Sequence, residues 1–347
     1  MKLGQGNLEV IPVNQELAVP NRIISRISEW EKKGGKDIVM KGVDQNWKSQ
    51  KAKEFLVKNR KIVEVKSSGK LMDIFEQELI KEIQDDIVEQ VEEREVMHWN
   101  PSFIRPKSNG KFRKIIDFRG INSATNRIHF KMEDVKYVLD LLEVVNYATV
   151  LDLQGEYHHI RVEPELNKYF GFRFRNRDYV CRGLPFGYIQ SPPLLCRILR
   201  KAINSIREKF NIRIIMYMDD LLLIGKSKQK LEQDTIQAVE MLEKLGWRIS
   251  GSKCQMNPKT NFEFLGWAWE TQNLTVRMPV KRRKEMQKKI SCWIRWMQCR
   301  RSLPIREIAA LQGDLNFLRV QMEDASLHLQ SINKMKTEAL KMKGGNG

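Results

Sequence analysis

Two adjacent aspartates, Asp219 and Asp220, separate two apolar runs at residues 214–218 and 221–224. Asp is common in two-residue turns, so a surface hairpin with solvated charges is one interpretation of this pattern. The flanking runs are almost continuously apolar, however, as in strands that are buried on both faces. Two carboxylates at the tip of a buried hairpin repel each other, and a hard divalent cation such as Mg²⁺ relieves that repulsion. We therefore predict a metal site at this turn.

A third carboxylate, Asp152, ends another apolar run at residues 148–151. By itself, an Asp at the end of a strand is more often a turn former or a helix cap. Together with Asp219, it can hold two metal ions roughly 4 Å apart. One ion would activate an attacking hydroxyl, and the other would hold a triphosphate and neutralise the leaving pyrophosphate. The three aspartates therefore indicate phosphoryl transfer.

The overall charge restricts the partners. The chain of 347 residues has 61 Lys and Arg against 43 Asp and Glu, a formal net charge of +18. Such an excess indicates a polyanionic partner, either nucleic acid or an anionic membrane. The sequence shows no apolar run near the roughly 18 residues that span a bilayer and no signal-peptide pattern, so we expect nucleic acid and no membrane. The five cysteines form no C-x-x-C pair, which predicts reduced thiols in an intracellular protein, cytoplasmic or nuclear.

Hydrophobic periodicity predicts the elements that position these residues. Apolar residues at every fourth position from Leu71 to Val91 predict an amphipathic helix. Phe170, Phe172 and Phe174 alternate with other residues, which predicts a strand with one buried face. Helices are also predicted over 135–142, 192–209, 231–245 and from 280 onwards. Within the last range, a second helix is predicted to begin with Ser302 as its N-cap. Strands are predicted over 212–224, 247–250, 262–269 and 274–277. Residues 1–70 show no readable pattern. This order indicates an α+β catalytic domain with a helical appendage.

The motifs and their order resemble those of one enzyme family. The four residues Tyr217, Met218, Asp219 and Asp220 resemble the active-site motif of reverse transcriptases. Further segments resemble the other motifs of the family in the proper order: a fingers motif at 112–119, a first palm motif at 152–157, a nucleotide-pocket motif at 184–187 with 191–192, a lysine at Lys253 and a primer grip at 264–267. The resemblance covers about residues 95–320. Residues 129–133 resemble DIRS-type retroelements, which integrate with a tyrosine recombinase, and retroviral enzymes are similar at a greater distance.

The resemblance implies a role for each residue of the metal site. Asp152, Asp219 and Asp220 would be the catalytic carboxylates, and the main-chain carbonyl of Leu153 would complete the shell around two Mg²⁺ ions, for which Mn²⁺ can substitute. Lys253 would donate a proton to the leaving pyrophosphate. A solvated surface lysine is the ordinary alternative for Lys253.

The resemblance also implies a nucleotide pocket formed by Arg113, Lys107, Tyr157, Phe186 and Gly187. A rigid ring at Tyr157 would clash with a 2′-hydroxyl and favour deoxynucleotides, although a core tyrosine is the alternative. Arg113 would neutralise the triphosphate, with either Lys107 or Arg105 as a second cation on the same hairpin. Phe186 and Gly187 would bound the pocket, since glycine permits close approach of the backbone.

Template and primer would contact the aspartate turn, the primer grip and the thumb, through Tyr217, Met218, Phe264, Leu265, Gly266, Trp267, Gly313 and Phe317. Phosphates would also bind the basic run at residues 281–284. The family has Gln, Gly and Trp at four-residue spacing in its thumb helix, where this chain has Ala309, Gly313 and Phe317. The chain also has Gly155 and Glu156 where the family commonly has Asp and Ala. These are the main departures from the family pattern.

A chain of this family would have an α+β right-hand polymerase fold, in which an antiparallel palm sheet packs on helices. We expect an N-terminal extension over 1–70, fingers over 71–147, a palm over 148–278 with a fingers insertion around 160–185, a helical thumb over 279–343 and no ribonuclease H domain. The implied activity is RNA-templated and DNA-templated synthesis of DNA from a DNA or RNA primer and deoxynucleoside triphosphates, within a retrotransposon replication enzyme. Two alternatives stay open: an RNA-dependent RNA polymerase, and an inactive domesticated scaffold that binds nucleic acid.

Overall fold

The computed structural model describes residues 18–65, 69–107, 110, 112–299, 304–322 and 324–344, with side chains up to residue 341. The described residues form two compact units. The first unit takes its described residues from 18–132, 150–223 and 232–257, and the second from 133–149, 224–231 and 258–344. Each unit is therefore assembled from separate stretches of the chain.

Helices and strands both occur throughout the described part of the chain, as the predicted α+β class requires. The helices are α1 (Val19–Ser25), α2 (Ile27–Glu31), α3 (Lys36–Lys41), α4 (Gln50–Lys58), α5 (Lys70–Gln84), α6 (Arg119–Ala124), α7 (Val135–Leu141), α8 (Pro164–Asn167), α9 (Ser191–Phe210), α10 (Lys228–Lys244), α11 (Val280–Gln298), α12 (Ile305–Asn316) and α13 (Ala325–Gly344). The strands are β1 (Val88–Val91), β2 (Ser102–Pro106), β3 (Phe112–Ile116), β4 (Tyr147–Asp152), β5 (Gly171–Phe174), β6 (Arg177–Cys181), β7 (Arg213–Tyr217), β8 (Asp220–Gly225), β9 (Gln255–Lys259), β10 (Asn261–Phe264), β11 (Trp267–Glu270) and β12 (Thr275–Arg277).

A four-stranded sheet of order β7-β8-β4-β9 carries the aspartates. The apolar side chains of β7 and β8 are buried, including Ile215 and Leu222, which explains why both strands are almost continuously hydrophobic. The long helix α9 packs against β7, and its Arg207 donates to the carbonyl of Ile214. The predicted hairpin over 212–224 and the predicted helix over 192–209 are both confirmed.

A three-stranded antiparallel sheet of order β1-β6-β5 lies beside α5 in the first unit. Phe172 and Phe174 of β5 are fully buried, and the ring of Phe75 from α5 stacks on Phe174 at 4.7 Å between centroids. The predicted strand around Phe172 is therefore confirmed. The predicted helix from Leu71 to Val91 is wrong beyond Gln84. Asp86 has a φ of +59° that ends the helix, and the four residues of β1 then pair with β6.

The N-terminal stretch, which shows no readable sequence pattern, contains α1 to α4. These helices have five to nine residues each, too few turns for an apolar periodicity to stand out. Tertiary contacts hold them instead. Trp30 is fully buried and its indole N–H donates to the carbonyl of Leu245 at 2.9 Å, while the Arg22 guanidinium donates to the carbonyl of Gly246 at 3.2 Å. Residues 18–41 are thus an integral part of the first unit.

Two other strand predictions differ from the structure. The predicted strand over 247–250 is absent from this described stretch, where Ile249 forms only an isolated antiparallel bridge with Leu153. The predicted strand over 262–269 is two strands, because Leu265 and Gly266 both have positive φ and form a tight turn between β10 and β11. Strand β9 was not predicted from the sequence.

The C-terminal stretch is helical, as predicted. Helix α12 begins after Pro304, which is its N-cap, and the predicted cap Ser302 lies outside the described residues. Across the described helices, none is long and apolar enough to cross a bilayer.

Candidate active site

Strands β4 and β8 are neighbours in the sheet and bring the three predicted carboxylates together. Asp152 ends β4, and Asp219 and Asp220 follow β7 at the turn into β8. One carboxylate oxygen from each of the three lies within 4.8 Å of the other two. The N–H of Leu153 donates to the carbonyl of Asp219 at 3.2 Å, which ties the strand end to the turn. Met218, at a φ of +54°, gives the turn its tight geometry.

The three carboxylates form an electrostatically unfavourable cluster. Burial raises the pKa of Asp219, and burial together with the charges of Asp219 and Asp152 raises the pKa of Asp220 to about 6. Three converging carboxylates supply the oxygen ligands that hard divalent ions such as Mg²⁺ take. The donor chemistry and spacing of Asp152, Asp219 and Asp220 therefore fit a divalent metal site.

Lys253 lies at the same cluster. Its ammonium is 3.0 Å and 3.1 Å from the two carboxylate oxygens of Asp152. The hydrogen bond to Asp152 raises the pKa of Lys253, so the side chain stays protonated. Lys253 therefore lies beside the carboxylate cluster, but 65% of its side chain is exposed, so the role of proton donor and the alternative of a solvated surface lysine both stay open.

Other residues of the predicted nucleotide pocket lie against the ring of Phe186, and 45% of this residue is exposed. Tyr157 contacts it edge to face at 4.7 Å, and the Arg113 guanidinium lies 5.9 Å from its centroid. The Tyr157 hydroxyl is 3.9 Å from the Met218 sulfur. The structure thus brings together Arg113, Tyr157, Phe186 and Met218, which come from four separate segments.

Two residues beside the predicted site, His158 and Glu156, were not given a role in it from the sequence. His158 packs edge to face on Phe186 at 5.6 Å, and burial lowers the pKa of His158 to about 4, which keeps the imidazole neutral. Glu156 is only 6% exposed, and burial, followed by the charge of Asp219, raises its pKa to about 7. Glu156 had a sequence signal, since it replaces the family's small residue. His158 had none beyond its place next to Tyr157.

The other predicted pocket residues have varied surroundings. Gly187 has a φ of +88°, and a Cβ atom there would lie 3.6 Å from the Phe118 ring. Arg105 is directly opposite Arg113 in the β2–β3 pairing, so both side chains are on one face of the hairpin. Lys107 is exposed, just beyond the end of β2. The register therefore favours Arg105 as the companion of Arg113.

The predicted template–primer residues of the second unit pack on one another. Trp267 is fully buried and its ring stacks on Phe317 at 4.2 Å with an angle of 5° between the planes. The Arg282 guanidinium lies 3.3 Å from the centroid of Phe317. Phe264 is also buried, whereas a Cβ atom at Gly313 would meet no atom within 4 Å. Within this unit, Gly313 presents open surface, and Trp267 and Phe317 hold the β10–β11 turn against α11 and the end of α12.

Comparison with known proteins identifies the domain that carries the site. The model of a family described as "Reverse transcriptase (RNA-dependent DNA polymerase)" matches residues 105–269. This range includes the three carboxylates, Lys253, and the pocket around Phe186. Residues 105–269 are therefore a reverse transcriptase domain.

Retroviral polyproteins are among the relatives of this chain. The Gag-Pol polyprotein of Walleye dermal sarcoma virus is 26% identical over 232 residues, which are 67% of this chain and 12% of that polyprotein. The Pol polyprotein of Equine infectious anemia virus (strain Wyoming) is 24% identical over 252 residues, 68% of this chain and 22% of that polyprotein. The chain thus spans less than a quarter of the length of each of these relatives. Both are retroviral, and the DIRS-type resemblance stays a prediction.

Solved structures confirm the predicted fold. The foamy viral protease-reverse transcriptase in complex with double-stranded DNA gives a TM-score of 0.65 at 15% identity, over 95% of this chain and 57% of that chain. The same foamy viral enzyme in complex with an RNA/DNA hybrid gives 0.62 at 14% identity, over 95% and 44%. The fold of this protein is therefore the right-hand polymerase fold of those enzymes.

Proposed function

We propose that this chain, whose residues 105–269 form a reverse transcriptase domain, is an RNA-directed DNA polymerase that extends a primer by two-metal-ion phosphoryl transfer. The observation that carries the proposal is the approach of Asp152, Asp219 and Asp220 to within 4.8 Å beside an aromatic pocket. Carboxylates so arranged suit a pair of Mg²⁺ ions, with Mn²⁺ as a substitute. When bound, such ions activate the attacking hydroxyl and neutralise charge on the phosphates.

The side chains of the chain supply the rest of the chemistry. Arg113 offers a cation to the triphosphate from the β2–β3 hairpin, and Lys253 offers a proton to the leaving pyrophosphate from its position on Asp152. Tyr157 and Phe186 form the wall on which the sugar lies. The edge-to-face packing of Phe186 against Tyr157 and His158 restricts the motion of these rings, so the wall can exclude a 2′-hydroxyl by shape.

We propose an RNA template, with DNA also accepted as template, and a DNA or RNA primer as the macromolecular partners. The net charge of +18 favours a polyanion, and the similar foamy viral structures are described as complexes with double-stranded DNA and with an RNA/DNA hybrid. The retroviral relatives support a place within a larger retroelement polyprotein.

Extension of a labelled DNA primer on an RNA template tests the proposal. With deoxynucleoside triphosphates and Mg²⁺, we expect templated extension, and with ribonucleoside triphosphates we expect at most a small fraction of that rate. Equal rates with both nucleotides would support the RNA polymerase alternative. Template binding without any extension would support the scaffold alternative.

A further inference from the structure

The turn at residues 250–254 contacts Asp152 at its backbone as well as at its carboxylate. The N–H of Ser250 donates to the Asp152 carbonyl at 2.8 Å, and the N–H of Asp152 donates to the Cys254 sulfur at 3.3 Å. Lys253 binds both carboxylate oxygens of the same residue. Three residues of one short turn therefore hold the backbone N–H, the backbone carbonyl and the side chain of Asp152.

The turn has its own internal support. The N–H groups of Lys253 and Cys254 both donate to the carbonyl of Ser250, at 3.0 Å and 3.2 Å. On the other side, the N–H of Gln154 donates to the carbonyl of Arg248 at 2.9 Å. The backbone that carries the Cys254 side chain is therefore held by hydrogen bonds that do not involve the thiol.

Asp152 is buried, so its N–H needs an acceptor within the protein. Strand β9, which belongs to the same sheet as β4, begins at Gln255, one residue after Cys254. Cys254 therefore lies just before β9, outside the stretch whose backbone carbonyls can accept hydrogen bonds from β4. Sulfur also lies 3.8 Å from the Asp152 carbonyl, within reach of a weak S–H donation.

We propose that the turn at residues 250–254 is a cradle that positions Asp152 for metal binding, with the Cys254 thiol as acceptor for the Asp152 N–H. The inference rests on the proposed function, because it takes Asp152 as a metal ligand. Cys254 is a positioning residue in this account, since it touches no substrate and acts through Asp152. Loss of the acceptor leaves a buried N–H unpaired and shifts the end of β4, which moves the carboxylate relative to Asp219.

The test is Mn²⁺ binding to the full chain, measured by electron paramagnetic resonance of the free ion, for Cys254→Ala and Cys254→Ser. We expect Cys254→Ala to weaken binding about tenfold and Cys254→Ser, whose hydroxyl can accept the same N–H, to stay within about twofold of wild type. Cys181→Ala is the matched control, because Cys181 is a buried free thiol in β6. It should bind Mn²⁺ as wild type does. Asp152→Asn should abolish the strong site.

Cys254→Val fills the same space without an acceptor, and it replaces Cys254→Ala if the alanine variant does not fold. Unchanged Mn²⁺ affinity in the folded Ala or Val variant overturns the inference, as does an equal loss in Cys181→Ala. Primer extension by wild type is measured separately. If wild type binds Mn²⁺ but extends no primer, the proposed function fails, whereas the effect of Cys254 on metal affinity still decides the positioning role.

Discussion

Tyr157 contacts both the Phe186 ring and the Met218 sulfur, and Met218 directly precedes the carboxylates of the turn. We expect Tyr157→Ala to raise the ratio of ribonucleotide to deoxynucleotide incorporation by about tenfold or more, because it removes the ring that we propose excludes a 2′-hydroxyl. Tyr157→Phe keeps the ring and should keep the ratio within about twofold. Single-nucleotide incorporation assays with ribonucleoside and with deoxynucleoside triphosphates measure this ratio. An unchanged ratio in Tyr157→Ala would show that another residue selects the sugar.

Glu156 couples stability to pH. Its folded-state pKa is about 7 against an ordinary value of 4.5, because of burial first and the charge of Asp219 second. The folded protein therefore binds this proton more tightly than the unfolded chain does. The stabilising contribution is fully present below the unfolded pKa and is lost as pH rises through the folded pKa.

In the presence of a chelator, we expect wild type to lose on the order of 2 kcal/mol of unfolding free energy through Glu156 between about pH 5 and pH 8. The Glu156→Gln variant should lose less unfolding free energy than wild type over that interval, because Gln does not titrate. The Glu232→Gln variant, at an exposed position, should lose as much as wild type. Urea unfolding at the two pH values measures the difference. The same pH dependence in Glu156→Gln and wild type would rule out the titration of Glu156 as its source.

At the scale of elements, the β10–β11 turn depends on a glycine. Gly266 has a φ of +73°, and a Cβ atom there would lie 2.5 Å from the Arg282 guanidinium that covers Phe317. We expect Gly266→Ala to destabilise the protein by about 1–2 kcal/mol, because the backbone is strained and Arg282 must leave the ring. Urea unfolding measures the change.

Gly313 provides the matched control, since it lies within α12 and a Cβ atom there meets open space. Gly313→Ala should be neutral or stabilising by up to about 1 kcal/mol, because Ala is the better helix former. Equal effects of the two substitutions would mean that the stack of Trp267, Phe317 and Arg282 does not set the turn.

The elements also show which features a sequence can reveal. The aspartate turn and the end of β4 were predictable, because apolar runs that end in carboxylates are a local pattern. The strand β1 was mistaken for helix, since the four-residue spacing continues to Val91 while Asp86 breaks the helix. The roles of His158 and Cys254 depend on contacts with distant segments, which no local pattern records. The α1–α4 helices are short, and their stability comes from burial of residues such as Trp30.

At the scale of the whole molecule, the N-terminal helices from residue 19 onwards are part of the folded first unit. Trp30 is fully buried and hydrogen-bonded to Leu245, whereas Phe55 of α4 is 67% exposed. We expect Trp30→Ala to cost about 3–5 kcal/mol of unfolding free energy, because it removes a buried ring and leaves a cavity. Phe55→Ala should stay within about 0.5 kcal/mol of wild type. A cost for Trp30→Ala no larger than for Phe55→Ala would mean that the contacts of Trp30 do not stabilise the first unit.

The central claim is that Asp152, Asp219 and Asp220 form the metal-dependent centre of a DNA polymerase, and its most direct test is primer extension by Asp219→Asn. The measurement is the single-turnover rate of deoxynucleotide addition to a DNA primer on an RNA template with Mg²⁺, with the exposed Asp37→Asn as control. We expect Asp219→Asn to slow addition by about 10³-fold or more and Asp37→Asn to leave the rate within about twofold of wild type. Addition by Asp219→Asn at the rate of wild type would contradict the account.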